Sequence, residues 1–536
     1  MRLFVVLLLV AVAALRLSMI GRQELVSDEA YYQMWSERLD WGYYSKGPGV
    51  AAAIRAGTAL FGVNEFGVRV WSPLLGLGTA LLLAALARRL YGDAAAVWTA
   101  VLVSVIPIFN VGGVLMTIDP LSVFFWVAAM WFVWLALERS PRGTAYWVLA
   151  GFAISLGFLC KYTNALQLVC VTFALAWVPR WRGELRRGGY WTMWAVACLG
   201  ALPPIIWNAN HAWITATHLL ERGGFGGGGF RWYSFPEFLG LQALVYSPLI
   251  FIGLMIALVF GWKEATGHKP GRAERARFLL AFTLPILGFY AILALRKPGE
   301  PNWTALAYPS LCVLAAMLWH ERAGARRRTA VFALAALSLG LAMSLVILDT
   351  DSVRQLGIVW PYKRDTTIRI RGWQATADAV ATVRKQVEKE IGQKVFLIAD
   401  KYQLAAELNF YLADKRIEQP GHPPVYLPES QEIQNQFSFW GRYDEFTEPD
   451  TTTPAKAGAG PTPPANEMPE ALGENRFAGR SALFITDSPN LAAPPSTLEQ
   501  GFEEWKCVAR YEVKRRGLPV RTLTFFLLSR YQGMSL

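Results

Sequence analysis

The sequence predicts a polytopic α-helical membrane protein of about eleven spans followed by a C-terminal α/β soluble domain. Three observations carry this. The 536 residues are 54% hydrophobic and only 17% charged, against about a quarter charged in ordinary soluble domains. Long apolar runs alternate with short polar breaks up to about Val346. From Asp349 onward the composition is that of a soluble protein. The boundary divides the chain into 1–348 and 349–536.

A span needs about twenty mostly apolar residues to cross about 30 Å of hydrocarbon. The runs that meet this are Leu3–Ile20, Arg69–Ala87, Ala94–Gly113, Leu121–Ala136, Ala145–Cys160 and Ala165–Val178. They continue with Trp191–Trp207, Phe238–Trp262, Phe278–Leu295, Thr304–Trp319 and Ala330–Leu348. Arg2 and Ala11-Val12-Ala13 also fit a cleaved signal peptide loosely, but the apolar run continues to Ile20.

Lys and Arg gather in alternate short loops. Arg88 and Arg89, Arg139 and Arg142, Arg180 to Arg187, Lys263 to Arg277, and Arg322 to Arg328 share one side. The positive-inside rule makes that side cytoplasmic. The N-terminus is then inside a plasma (inner) membrane, and the C-terminal domain is periplasmic or extracellular. The net charge of +12 reflects these loops, not one basic face, so nucleic acid is not an expected partner. Four of the five cysteines fall in or beside apolar runs and Cys507 stands alone, so no disulfide framework is expected.

The outer loops hold the candidate chemistry. Ser27-Asp28-Glu29-Ala30-Tyr31-Tyr32 reads as the start of a short helix capped by Ser27. Positions three, four and seven after Asp28 are Tyr31, Tyr32 and Trp35, whereas positions four, seven and eight after Glu29 are Gln33, Ser36 and Glu37. Helical spacing therefore places Asp28 with the aromatics and Glu29 on the wet side. A carboxylate on an apolar face is costly and asks for a function, which makes Asp28 the first catalytic candidate. The bland alternative is an acid favoured by the helix dipole.

After Tyr43-Tyr44 comes Ser45-Lys46-Gly47-Pro48-Gly49 and a short apolar stretch suited to a helix on the outer surface. Lys46 either binds phosphate or snorkels at the interface. Asp119 in Met116-Thr117-Ile118-Asp119-Pro120 either caps the next helix or also serves chemistry. Lys161 ends the fifth span on the same face. The long loop adds His218 and Arg222, four apart, beside the glycine-rich stretch Gly223 to Gly229, which reads as a lid or linker. Lys297 lies in the Arg296–Asn302 loop. No His/Cys cluster has zinc-ligand spacing, and neither metal nor cofactor is called for. Two outer carboxylates with several separated cations suit transfer of a group from a phosphate-bearing donor: a carboxylate accepts a proton and cations stabilise the departing phosphate.

Ser27-Asp28-Glu29-Ala30-Tyr31-Tyr32 and Gly42-Tyr43-Tyr44-Ser45-Lys46-Gly47-Pro48 resemble the first-loop signature of the bacterial protein-mannosyltransferase-like glycosyltransferases. Those enzymes have the GT-C fold, and the aminoarabinose transferase acting on lipid A is a relative. Leu156 to Thr163, Gln242 to Pro248 and Glu300 to Pro309 fit the same pattern. The resemblance covers about residues 1 to 350. It implies inverting transfer of a sugar from a polyprenyl-phosphate donor to a hydroxyl of a glycolipid, lipopolysaccharide or protein on the outer face. By position, Asp28 resembles the essential acid, Glu29 its neighbour and Lys46 a phosphate-contacting lysine, where the usual Lys-Pro-Pro is here Lys46-Gly47-Pro48. Asp119, Arg222 and Lys297 are carried over by position in loops of different length, Asp119 as a second catalytic candidate; Tyr44, Lys161 and His218 complete the candidate site. The alternative, a lipid or solute transporter or flippase, predicts internal repeats and midplane charges; no convincing repeat is present.

In the C-terminal domain a helix is expected through about Ile391, strands over Lys394–Asp400, Ser481–Asp487 and Thr522–Ser529, and a helix from Tyr402 to about Leu412. Residues 448–474, rich in Pro, Ala and Thr, read as a loose loop.

Overall fold

The computed structural model describes residues 2–223, 229–355, 357–358, 362, 365–416, 422–428, 430–445, 476–489 and 491–533. Most of the glycine-rich stretch and the whole of 448–474 therefore lie outside the described residues. The chain divides into two compact units: Met1–Gln23 with Trp35–Val359, and Glu24–Met34 with Trp360–Leu536. A short piece of the loop after the first helix thus belongs with the C-terminal part.

The first unit is all helix. Among the described residues seven helices are long and apolar enough to cross a membrane: Glu65–Tyr91, Ile118–Glu138, Gly188–Asn210, Pro248–Ala265, Pro270–Ala294, Trp303–Ala323 and Arg327–Leu348. Four other expected spans appear as shorter apolar helices: Leu3–Met19, Asp93–Val105, Thr144–Cys160 and Tyr162–Trp177. Gly49–Phe61, the expected surface piece, is also helical.

The breaks have local causes. The run expected over Ala94–Gly113 stops at Val105, because Ile106 is extended ahead of Pro107. The exposed carbonyls are met by Asn110, whose amide donates to Ser104 O (2.9 Å) and Ile106 O (3.1 Å), while Arg16 donates to Asn110 Oδ1 (2.6 Å). Irregular backbone inside an apolar region needs such partners. The single span expected over Phe238–Trp262 is instead two helices, Ser234–Tyr246 and Pro248–Ala265, hinged at Ser247 with φ 73°. Hydropathy is blind to this hinge because both arms are apolar. Close helix contacts use small residues: a Cβ at Gly151 would lie 2.7 Å from the Met193 carbonyl oxygen.

The second unit is built on a five-stranded sheet of order β2-β1-β3-β5-β4, with β1 Phe396–Ala399, β2 Val425–Tyr426, β3 Ala482–Thr486, β4 Phe502–Arg515 and β5 Leu518–Tyr531. β1 pairs in parallel with β2 and β3, and β5 runs antiparallel between β3 and β4. Phe396, Ile398, Phe484, Phe526 and Leu528 form its core with Tyr443 and Phe477. Helices Trp373–Ile391 and Tyr402–Tyr411 occupy the expected positions.

β4 was not expected. It is largely exposed, so its sequence carries charges where a half-buried strand alternates. Pairing through the two-residue turn Arg516-Gly517, with φ of 50° and 77°, brings it to β5.

Candidate active site

In the first unit the site begins with the loop after Trp35. Trp35 stacks on Tyr43 with centroids 4.5 Å apart. The Tyr43 N–H donates to Lys46 O at 3.0 Å, closing a tight turn around Tyr44. The glycines here are required by close approach. A Cβ at Gly47 would collide with the Leu159 carbonyl oxygen, and one at Gly49 would lie 2.5 Å from Cys160 Sγ. The Lys46 turn is thereby held against the end of Thr144–Cys160, one residue before Lys161. This is a physical reason for glycine at position 47.

Lys161 and Asp119 meet. Nζ lies 2.7 Å from Asp119 Oδ1, and both side chains are largely buried. The Asn302 amide donates to Asp119 Oδ2 at 2.5 Å. Asp119 therefore does not cap its helix. Thr117 does, its hydroxyl accepting the Asp119 N–H at 3.3 Å, and the carboxylate is left to reach across. Asn302 itself was not singled out from the sequence, since an asparagine after Pro301 reads as a turn residue. The loop it sits in is tied further by Gln242, whose amide donates to Pro301 O (3.1 Å) and accepts from Thr304 Oγ1 (2.5 Å).

A second cluster gathers on Ile214–Arg222, which is helical, so His218 and Arg222 share a face. The Tyr44 ring lies 4.6 Å from the His218 ring. Burial lowers the His218 pKa, and the positive charges of Lys46 and Arg222 lower it further; at neutral pH the imidazole is neutral between two cations. Burial and Glu221 push the Tyr44 phenol up. Arg222 lies 3.6 Å from Glu300 Oε1 and over the Trp303 ring at 5.9 Å. Glu300 and Asn302, two residues apart, thus reach the two clusters separately. Lys297 is exposed, and among the described residues no side-chain contact joins it to either cluster.

Asp28 and Glu29 sit in the second unit at the start of helix Ser27–Glu37. Here the expectation is reversed: Glu29 is fully buried and Asp28 is exposed. Every residue from Glu29 to Ser36 is buried, Gln33 and Ser36 included, so the helix has no wet face for periodicity to mark. Nor does Ser27 cap it. Ser27 is the first helical residue, and Glu29 reaches back to accept the Val26 N–H at 3.0 Å, half of a capping box.

Close to this segment, in the same unit, Glu407 is fully buried. Desolvation raises its pKa well above the ordinary value, Glu29 and Glu24 add to the rise, and Arg521 opposes it. Burial therefore favours the neutral form of this acid in the folded state. Above about pH 4.3, where an unfolded glutamate loses its proton, the folded state retains it. Stability then falls by up to about 1.4 kcal/mol per pH unit until the raised pKa is passed. Glu407→Gln should flatten that slope, measured as melting temperature of the full chain against pH.

Residues 45–207 match the family model described as dolichyl-phosphate-mannose-protein mannosyltransferase. A lipid A galacturonosyltransferase of Rhizobium johnstonii is 26% identical over 410 residues, 75% of this chain and 81% of that protein. An undecaprenyl phosphate-α-4-amino-4-deoxy-L-arabinose arabinosyl transferase of Pseudomonas paraeruginosa is 28% identical over 352 residues, covering 59% of this chain and 60% of the relative. The crystal structure of ArnT from Cupriavidus metallidurans bound to undecaprenyl phosphate superposes over 97% of both chains with a TM-score of 0.57 at 16% identity, a likeness of fold. Taken with the first-loop signature and the helical unit described above, these matches make the chain similar to the protein-mannosyltransferase-like membrane glycosyltransferases, and the superposition shows that it shares their fold.

Proposed function

We propose that the protein transfers a sugar from a polyprenyl-phosphate donor to a hydroxyl of a lipid A-type glycolipid, with inversion, on the outer face of the inner membrane. The observation that carries this is the cationic cluster of Lys46 and Arg222 around His218, beside Tyr44. The relatives' names point to the same donor and acceptor classes. The arginine-rich alternate loops support an N-terminus inside and a C-terminal unit outside.

In the proposed step the acceptor oxygen bonds to the anomeric carbon as the bond from that carbon to the phosphate oxygen breaks. The hydroxyl proton passes to Asp28, and the electron pair leaves with the polyprenyl phosphate. A single displacement inverts the centre. Lys46 and Arg222 meet the charge that develops on the leaving phosphate. Asp119 and Asn302 hold Lys161, and Tyr44 with His218 forms a ring surface for the donor. Glu29 serves by capping the helix that starts beside Asp28.

Mass spectrometry of glycolipids and glycoproteins from cells with and without the protein tests the reading. A glycolipid should lose one sugar mass when the protein is absent; unchanged glycolipids with an altered glycoprotein would overturn the acceptor. Lys46→Met removes one charged hydrogen bond, worth about 1.5–3 kcal/mol. The donor KM should rise about tenfold to a hundredfold in steady-state assays of the purified variant. Unchanged donor kinetics would remove Lys46 from the site.

A further inference from the structure

The segment that carries Asp28 is fastened at both ends to the C-terminal part of the sequence. Upstream, Glu24 serves as the anion for helix Trp373–Ile391. That helix has Gly372 at its cap position and so no capping side chain of its own. Glu24 Oε2 accepts the Trp373 N–H (3.0 Å), and Oε1 accepts the Gln374 N–H (3.1 Å), where the helix dipole favours negative charge. The next residue is tied as well: the Leu25 N–H donates to the Tyr411 hydroxyl at 2.8 Å. Downstream, the Tyr31 hydroxyl accepts the Gln436 N–H at 2.6 Å. Its ring packs against Tyr402 at 4.7 Å and lies parallel to Phe437 at 6.1 Å. Between these anchors Asp28 alone projects into solvent, while Glu29 and Ala30 are buried.

We propose that the C-terminal unit exists in part to hold the general base, with Glu24, Tyr411 and Tyr31 as positioning residues for Asp28. This rests on the reading of Asp28 as the base, and it assigns a role to the C-terminal unit. The physical ground is geometric. A base acts only within hydrogen-bond reach of the proton it takes, and a loop residue keeps that reach only if its backbone is fixed on both sides. Four hydrogen bonds over residues 24 to 31 do so. Misplacement by about 1 Å costs on the order of a hundredfold in rate.

The test uses the full chain in lipid, with Glu24→Ala, Glu24→Gln and Tyr411→Phe, each alone and combined with Asp28→Asn. Glu24→Ala should lower kcat about tenfold to a hundredfold with the donor KM unchanged. Tyr411→Phe, which removes one oxygen and keeps the ring, should lower it less but in the same parameter. Glu24→Gln keeps one good acceptor for the helix N–H groups and should restore most of the rate. In the Asp28→Asn background neither change should lower the residual turnover further, because a positioning residue has nothing left to position. Unchanged kcat in both Glu24→Ala and Tyr411→Phe would overturn the proposal while leaving Asp28 as base. An equal loss in the Asp28→Asn background would overturn it too, showing a general structural effect. Near-normal turnover by Asp28→Asn alone would instead defeat the assignment of the base on which the proposal stands.

Discussion

Asp28→Asn should lower sugar transfer by about a hundredfold to ten-thousandfold, the range that a positioned general base contributes. The substitution keeps size and shape and removes proton affinity. Asp28 is exposed at the second position of its helix, so the protein should still insert and bind donor. Transfer of labelled sugar by the purified variant in lipid, alongside donor binding, measures both. Glu29 is buried and not on a wet face, and it holds the Val26 N–H. An amide oxygen can keep that bond, so Glu29→Gln should retain the helix and much of the activity, whereas Glu29→Ala should lose about 1 kcal/mol of cap. If Asp28→Asn turns over near normally, Asp119 is the next candidate base.

Asp119→Ala should be the most destabilising change in the first unit. It leaves the Lys161 ammonium, 10% exposed, without its carboxylate and the Asn302 amide without its acceptor. Removing one partner of a buried ion pair costs about 3–5 kcal/mol, mostly because the other charge stays behind. The second step discriminates. Asp119→Ala with Lys161→Met removes both charges and should recover most of the lost melting temperature, since apolar replacement of a whole pair is often neutral. If the double variant is no more stable than the single one, the pair is not what Asp119 contributes. Activity of the double variant then reports whether the Lys161 charge is needed at all.

The membrane class was legible because the bilayer demands long apolar runs, and among the described residues seven of the expected spans are helices long and apolar enough to cross it. That His218 and Arg222 share a face was legible on the condition of a helix, which the structure supplies over Ile214–Arg222. Other features were not, each for an identifiable reason. β4 is an exposed strand whose partner is supplied by the turn before β5, so its own residues do not alternate. The hinge at Ser247 depends on one backbone angle inside an apolar stretch. Asp119 and Lys161 were both marked, but as separate groups, because they stand 42 positions apart in the chain.

By itself, then, the sequence determined the helical membrane class, the inventory of acids and cations in the loops between apolar runs, and the family signature around Asp28 and Lys46. These depend on composition, run length and short-range spacing, which every local segment carries. Tertiary structure alone decided that Glu29 is buried and Asp28 exposed, that Asp119 pairs with Lys161 through a loop ending in Asn302, and that residues 24 to 34 join the C-terminal unit. Helical periodicity assumes one wet side, and a helix enclosed from Glu29 to Ser36 has none. What surrounds a residue is set by segments distant in the chain, and no local pattern encodes them.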